Sequence, residues 1–382
     1  MSLAYWVDDP KDFNHTSVLS RICGGRVVPV RLDPLRAKAR ALWSLAKGCS
    51  FSEGYYSAPI FQRVVDSLLN EERPDFIYVF SSAMARYAEA IRSTPAIVDF
   101  VDVDSEKWRE LSEFASFPLS QIYRLEHERL ARLEVEISRW AQYSLFVSEI
   151  EADLFRDIGG KGKIAAVPNG VTLDCRRAPF DELKLADRRT IQKTSKPAHI
   201  LFVGTMNYFP NSDAVLYFAR EIFPRLRSVF PQVVFDIVGR LPPRSVRRLS
   251  ATDGIRVHGE VEEIQPFLLQ ADVSIAPMRI SRGVPNKILE AMAVGVPVVA
   301  TTEAVKGIRV KDGEDVLLGD TAERFAAQVS RLLSDSHLRA RITKRALQKV
   351  QEVYDWKTIG IQLNDMIEAI GPEMSFEVAK SF

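Results

Sequence analysis

Three cations, Arg279, Arg282 and Lys287, crowd into one short segment with a carboxylate, Glu290, just beyond them. The segment reads Arg279-Ile-Ser-Arg282-Gly283-Val-Pro285-Asn286-Lys287-Ile-Leu-Glu290 and runs on through Ala-Met-Ala-Val to Gly295. A strand ending at Pro277 should feed this Gly- and Pro-containing loop, which opens a short helix carrying Glu290. A loop and helix start at a strand end offer unpaired backbone N–H groups and a positive dipole end, both suited to phosphate oxygens. The three cations would add charge for the same anion. From the helix, a carboxylate can accept two hydroxyl hydrogens, as the 2'- and 3'-hydroxyls of a ribose present them. A solvated basic loop with an ion-paired glutamate would have the same spacing.

A second set of carboxylates, Asp99, Asp102 and Asp104 with Ser105, follows an apolar run in the first half of the chain. Such aspartates can bind a divalent ion, act as a base, or cap the next helix, and for Asp104 and Ser105 capping is the plainer reading. His127, His258 and His337 fall on helix or strand patterns without partners in sequence and read as structural. Cys23, Cys49 and Cys175 are widely spaced, with no C-x-x-C pair and no histidines at metal-ligand spacing. That pattern argues against a Cys-based metal site and for a reduced, cytoplasmic protein.

The elements that must hold these residues alternate almost from end to end, β-rich runs with longer helical patterns, as in parallel sheets with crossover helices. The class is α/β. In the first half the spacing predicts strands at Ala4–Val7, Arg26–Val30, Asp75–Phe80, Ala96–Val101, Tyr143–Val147 and Ile164–Val167, several apolar throughout, as strands covered on both faces should be. Helices are expected at Ala58–Asn70 and Ile122–Trp140; the second sets Ile122, Leu125, Leu130, Leu133 and Ile137 at helical spacing as a core face. From Arg176 to Pro197 the chain turns polar, without a sustained apolar face. Strands are then expected at His199–Val203, Val233–Val238, Ile255–His258, Val273–Pro277, Val296–Ala300 and Val316–Leu318, with helices at Ser212–Arg227, Lys287–Ala293, Ala322–Leu333 and Leu338–Val350. The organisation is therefore a first domain over 1–175, a linker over 176–197, a second domain over 198–350, and a crossover helix and tail over 351–382. Two doubly wound domains would face each other across a cleft lined by strand ends, where open α/β sheets bind ligands.

Composition narrows the function. Of the 382 residues 46% are hydrophobic and 26% charged, and a net charge of +1 advertises no nucleic-acid or membrane partner. The longest nearly uncharged apolar stretch, 291–300, is about half of the ~20 residues a membrane helix needs. No signal peptide is visible at the N-terminus.

Pro285-Asn-Lys-Ile-Leu-Glu290-Ala-Met-Ala-x-Gly-x-Pro297-Val-Val closely resembles the nucleotide-sugar site of retaining glycosyltransferases of family 4, which have the two-domain GT-B fold. Three further segments agree in order: Val167-Pro-Asn169-Gly170-Val, Phe202-Val-Gly204, and Phe235-Asp-Ile-Val-Gly239-Arg240. The stretches Phe80-Ser-Ser-Ala-Met-Ala, Val98-Asp99-Phe-Val-Asp102-Val-Asp104-Ser105 and Phe146-Val-Ser148-Glu149 resemble a narrower branch, the sugar transferases found beside bacterial exosortase (PEP-CTERM) and exopolysaccharide loci. Three departures stand out. Arg282 occupies the place of the family's first glutamate; Thr205 and Asn211 stand where many relatives carry cations; and the chain begins at what the family would call its second strand. Truncation, a rebuilt first domain and degeneration all remain open for the last. If the first strand is lacking, sheet edges near Ala4–Val7 or Asp75–Phe80 are left unpaired and open to self-association.

The resemblance implies transfer of a sugar from a nucleoside-diphosphate sugar to a glycan or lipid-linked acceptor in exopolysaccharide synthesis, with retention. Asp102 and Glu290 are the candidates nearest the chemistry, Asp102 by the sugar or acceptor and Glu290 on the ribose. Gly204, Arg240, Arg279, Arg282, Asn286 and Lys287 are the remaining donor-binding candidates. GT-B enzymes generally need no metal to hold the diphosphate, so no metal or cofactor is assigned. A peripheral position on the inner face of the membrane fits a lipid-linked acceptor. A non-catalytic GT-B-like scaffold and a sugar-nucleotide epimerase are the alternatives.

Overall fold

A computed structural model describes residues 1–89, 94–173, 197–281 and 283–370. Arg282, Cys175 and positions 176–196 of the expected linker lie outside them. Two units emerge, Val167–Met366 and Met1–Ala166, the latter joined by residues 367–370.

In the second unit each apolar run of the sequence becomes a strand: β7 (His199–Val203), β8 (Val234–Val238), β9 (Ile255–Gly259), β10 (Val273–Ala276), β11 (Val298–Ala300) and β12 (Leu317–Leu318). They pair in parallel in the order β12-β11-β10-β7-β8-β9. Every residue of β7 is buried, which explains why the run is continuously apolar rather than alternating. The chain builds outward from β7 to β9, then returns to the other side of β7 at β10. That reversal creates a switch point between β7 and β10, where a doubly wound sheet leaves a crevice at its C-terminal edge. Phe202, Phe218, Phe223, Phe235 and Phe325 pack the core, with the Phe218 and Phe235 rings 4.6 Å apart.

Two contacts fix this unit's edges. The backbones leaving β7 and β8 touch: a Cβ at Gly239 would stand 1.8 Å from the Gly204 carbonyl oxygen, so no side chain fits there. At the start of the unit Val171 bridges Asp355, its N–H donates to the Tyr354 carbonyl (2.8 Å), and Gly170 lies flat under the Trp356 indole. Tyr354 and Trp356 thus hold the Val167–Val171 segment within its own unit.

His127 and His258 have framework partners, as does His199. Asp236 accepts from His199 Nδ1 and His258 Nε2, each at 2.7 Å. Burial pushes the Asp236 carboxyl up, but the two imidazole contacts outweigh it and leave the group below the usual range. His127 Nδ1 lies 3.0 Å from the Ser105 carbonyl.

The first unit is divided. β1 (Leu3–Val7) pairs in parallel with β2 (Val27–Arg31), while β3 (Ile77–Phe80), β4 (Ala96–Val101), β5 (Tyr143–Phe146) and β6 (Ile164–Ala166) form a separate parallel sheet. Among the described residues no strand pairing joins the two sheets, and β3 is an edge strand with Phe80 64% exposed.

Two sequence expectations are corrected here. Asp104 and Ser105 do not cap the helix Asp104–Phe114, whose N-cap is Val103. Its first N–H groups are met by carboxylates from elsewhere: Val103 N donates to Glu151 (2.8 Å), and Ser105 donates to Glu134 from its backbone (3.2 Å) and its hydroxyl (2.5 Å). Burial raises Glu134 to about 8, so the pair Ser105–Glu134 is a buried contact of a largely neutral acid. The second correction concerns the helix Leu119–Trp140, whose face is core only over its second half: Leu130 and Ile137 are buried, but Ile122 and Leu125 are exposed.

Candidate functional site

The switch point of the second unit gathers the residues singled out in sequence. Gly204 follows β7 directly, and its lack of a side chain makes room for Asn211, whose carboxamide nitrogen would be 2.8 Å from a Cβ there. Asn211 is buried on the helix Phe209–Tyr217 and donates from Nδ2 to the Thr205 carbonyl (3.0 Å). Its Oδ1 faces Lys287 Nζ at 2.5 Å. Lys287, on the helix Asn286–Ala293, also holds its ammonium 4.1 Å from the Phe202 ring centroid and 3.8 Å from Met278 Sδ. A charge surrounded by an amide, an aromatic face and a thioether is poorly solvated. Burial lowers the Lys287 amine to about 7, with the Glu290 carboxylate pulling weakly the other way.

Glu290 lies three residues on, along the same side of the short helix. Burial raises its carboxyl above the usual range, against the pull of Lys287. The loop entering this helix is fixed by close backbone contact, because a Cβ on Gly307 would meet the Gly283 carbonyl oxygen at 2.3 Å. Asn286 opens the helix and accepts from Asn169 Nδ2 (3.2 Å), which brings the Val-Pro-Asn-Gly motif to the same place.

The remaining cations fare differently. Arg279 is engaged: Nε donates to Asp213 Oδ2 at 2.9 Å, Nη2 pairs with the other oxygen, and the guanidinium stacks 5.0 Å over Tyr217. Arg240 is exposed at the end of β8, where its carbonyl accepts from Met206 N (2.9 Å), and Leu241 beside it has φ 54. Left-handed backbone at a large residue is costly and tends to collect at functional sites. Arg282 lies outside the described residues.

Asp102, in the first unit, follows another strained turn. Val101 has φ 69, held by a hydrogen bond from its N–H to Asp99 Oδ1 (3.0 Å), and the β4–β5 register shifts there. Asp102 Oδ2 pairs with Lys107 Nζ at 2.9 Å, which also reaches Asp104 at 2.9 Å. The other Asp102 oxygen is buried without a hydrogen-bond partner. Asp99 is committed to Tyr78, whose hydroxyl donates at 2.7 Å. Among the described residues no group of three or more His, Cys, Asp or Glu is arranged to hold a metal ion.

Sequence reasoning missed Asn211 as a positive contributor, seeing only the absence of a cation. The one available signal was its spacing after Gly204, which places it on the first turn of the next helix.

The architecture is that of GT-B glycosyltransferases, with Rossmann-like α/β units built on parallel sheets. Residues 197–335 match the family described as Glycosyl transferases group 1. Anabaena Alr3699/HepE, solved in complex with UDP and glucose, superposes with a TM-score of 0.64 at 18% identity, over 96% of this chain and 91% of that one. Sucrose-phosphate synthase from Thermosynechococcus elongatus gives 0.61 at 18% identity, over 82% and 77%. In sequence, the phosphatidyl-myo-inositol mannosyltransferase of Mycobacterium leprae is 30% identical over 213 residues, 53% of each chain. The glycogen synthase of Mycobacterium tuberculosis is 30% identical over 218 residues, 52% of this chain and 47% of its own. The chain spans about half the length of the curated relatives it matches.

Proposed function

We infer that this protein is a retaining glycosyltransferase moving a hexose from a nucleoside-diphosphate sugar to a hydroxyl of a glycan or lipid-linked acceptor in surface polysaccharide synthesis. The observation that carries the reading is the Lys287–Asn211–Gly204 constellation at the switch point, with Glu290 on the same helix. Complexes of the similar Anabaena protein with UDP and UDP-glucose support a nucleotide-sugar donor.

In this reading Glu290 accepts the ribose hydroxyls, and Lys287 balances the diphosphate as it departs. Placing a fixed charge where charge develops in the transition state is typically the largest catalytic term, about 3 kcal/mol for one such contact. Arg240, exposed just beyond β8, adds charge, and Arg282 is proposed from the sequence to do the same. Arg279, already met by Asp213, acts instead by holding the helix that carries Asn211. Asp102 is the weaker candidate, for contact near the sugar or the acceptor. The first unit takes the acceptor side, and the chain works in the cytoplasm, peripherally at the membrane. Among the described residues no helix is long and apolar enough to cross a membrane.

The experiment is to supply UDP- and GDP-sugars with and without a polysaccharide or lipid-linked acceptor and to read the product's anomeric configuration by NMR. Transfer with retention supports the proposal. Donor conversion without an acceptor would favour an epimerase, and binding without turnover a scaffold.

A further inference from the structure

The helix Pro34–Ala46 buries one narrow face and leaves the opposite one bare. Ala37 and Ala41 are fully covered, whereas Leu35 is 79% exposed and Leu42 and Trp43 are 64% exposed. Leu35, Ala39, Leu42 and Ala46 recur at intervals of four, three and four residues, the repeat of a single stripe along an α-helix, and all four face outward. Trp43 borders the stripe. At about 100° per residue, Lys38 falls on one flank, and Arg36, Arg40 and Lys47 on the other. Between Pro34 and Lys47 there is no Asp or Glu.

This face is held rigidly from behind. Asp33 caps the helix through Leu35 N (3.0 Å) and Arg36 N (3.2 Å). At the other end Arg129 donates to the carbonyls of Leu45 (2.7 Å) and Cys49 (3.0 Å), and Arg40 Nη2 to that of Tyr55 (3.1 Å). Glu126 receives the N–H groups of Phe51 (2.5 Å) and Ser52 (2.9 Å), which starts the next helix and closes the corner. The Lys47 ammonium sits 5.2 Å from the Trp43 ring, placing charge beside the aromatic. An outward apolar stripe with cations on both flanks is the pattern of a helix lying in a bilayer interface.

We propose that this helix docks the protein onto an anionic lipid surface, with Leu35, Leu42 and Trp43 entering the headgroup boundary and Arg36, Lys38 and Lys47 meeting lipid phosphates. Charge selects this occupant. A second copy of the same face would set these cations against their own counterparts, and an uncharged apolar partner would leave Lys38 and Lys47 unanswered, Arg36 alone being paired, with Asp33 at 3.4 Å; an anionic bilayer satisfies the stripe and the flanks together. The surface gives the peripheral association proposed above a definite place, and lipid binding is read without any donor, so failure of one reading is separable from failure of the other.

The test is flotation of the full chain with phosphatidylcholine vesicles, with and without phosphatidylglycerol. Binding should require the anionic lipid and weaken with salt. Losing one exposed cation should lower partitioning about fivefold, and Arg36→Gln, Lys38→Gln and Lys47→Gln together about a hundredfold. Leu42→Gln with Trp43→Ser should abolish binding while the melting temperature holds. In the unaltered chain, brominated lipid should quench tryptophan emission, and Trp43→Phe should remove that quenching, which keeps the test sound if the double variant fails to fold. Equal binding to neutral vesicles, no binding at all, or binding indifferent to these changes would overturn the proposal. So would a dimer that depends on Leu42 and Trp43 in a chain that ignores vesicles.

Discussion

Lys287 and Asn211, 76 positions apart in sequence, meet at 2.5 Å at the end of the central strand, a cation held by a neutral amide. An aspartate in Asn211's place would have neutralised the charge. The amide instead fixes the ammonium and leaves its charge for an incoming anion.

That arrangement has a pH signature. Burial sets the free Lys287 amine near 7, so above that pH it must take up a proton to meet a diphosphate. Affinity for UDP should be highest below pH 7 and fall as the pH rises through it. Lys287→Met should bind more weakly and show no such slope. Because the folded pKa lies below the unfolded one, the charged amine costs stability at low pH and less as pH rises, so the methionine variant should melt no lower at neutrality. Titration calorimetry across the range checks the affinities, and thermal unfolding at neutral pH checks the melting temperature.

Glu290→Gln keeps the shape of the side chain and removes its charge. A charge-assisted hydrogen bond is worth roughly 1.5–3 kcal/mol, so nucleotide-diphosphate affinity should fall about ten- to a hundredfold with the melting temperature unchanged. Unaltered affinity in calorimetry would remove Glu290 from the ribose.

The contact between the ends of β7 and β8 should be intolerant of a methyl group. Gly239→Ala would put its Cβ against the Gly204 carbonyl, and such overpacking costs about 1–3 kcal/mol or more. A melting temperature lowered by several degrees is expected. Gly360, inside the helix Trp356–Glu368, has nothing within 4 Å of a Cβ, so Gly360→Ala should be neutral or stabilising by up to about 1 kcal/mol. Differential scanning calorimetry of the pair separates a steric effect from a general aversion to substitution.

The edge of β3 invites pairing with a further strand. If the chain self-associates there, Phe80→Lys should shift sedimentation toward the monomer, because a charge on an exposed edge strand discourages strand addition. Sedimentation velocity over a concentration series decides it.

The second unit was readable because its strands are buried on both faces: His-Ile-Leu-Phe-Val and Val-Phe-Asp-Ile-Val stand out as apolar runs whatever lies around them. The helix 34–46 escaped notice for the opposite reason, since its apolar residues point both inward and outward and blur the periodicity. In the site, Glu290 and Lys287 could be read from a local segment. The engagement of Arg279 by Asp213 could not, as it joins residues 66 positions apart and depends on how one helix crosses a strand end. Ser105 likewise looked like a cap because nothing nearby in sequence announces Glu134.

The bridge between Val171 and Asp355 means that the second unit enters and leaves through the same doorway. Its covalent order is then partly arbitrary: the two ends could be spliced by a short linker and the chain reopened at the turn around Gly313, where a Cβ would meet nothing within 4 Å. A circular permutant of that kind would keep every strand beside its present neighbours, and could carry a reporter at its new ends while the switch-point crevice stayed intact.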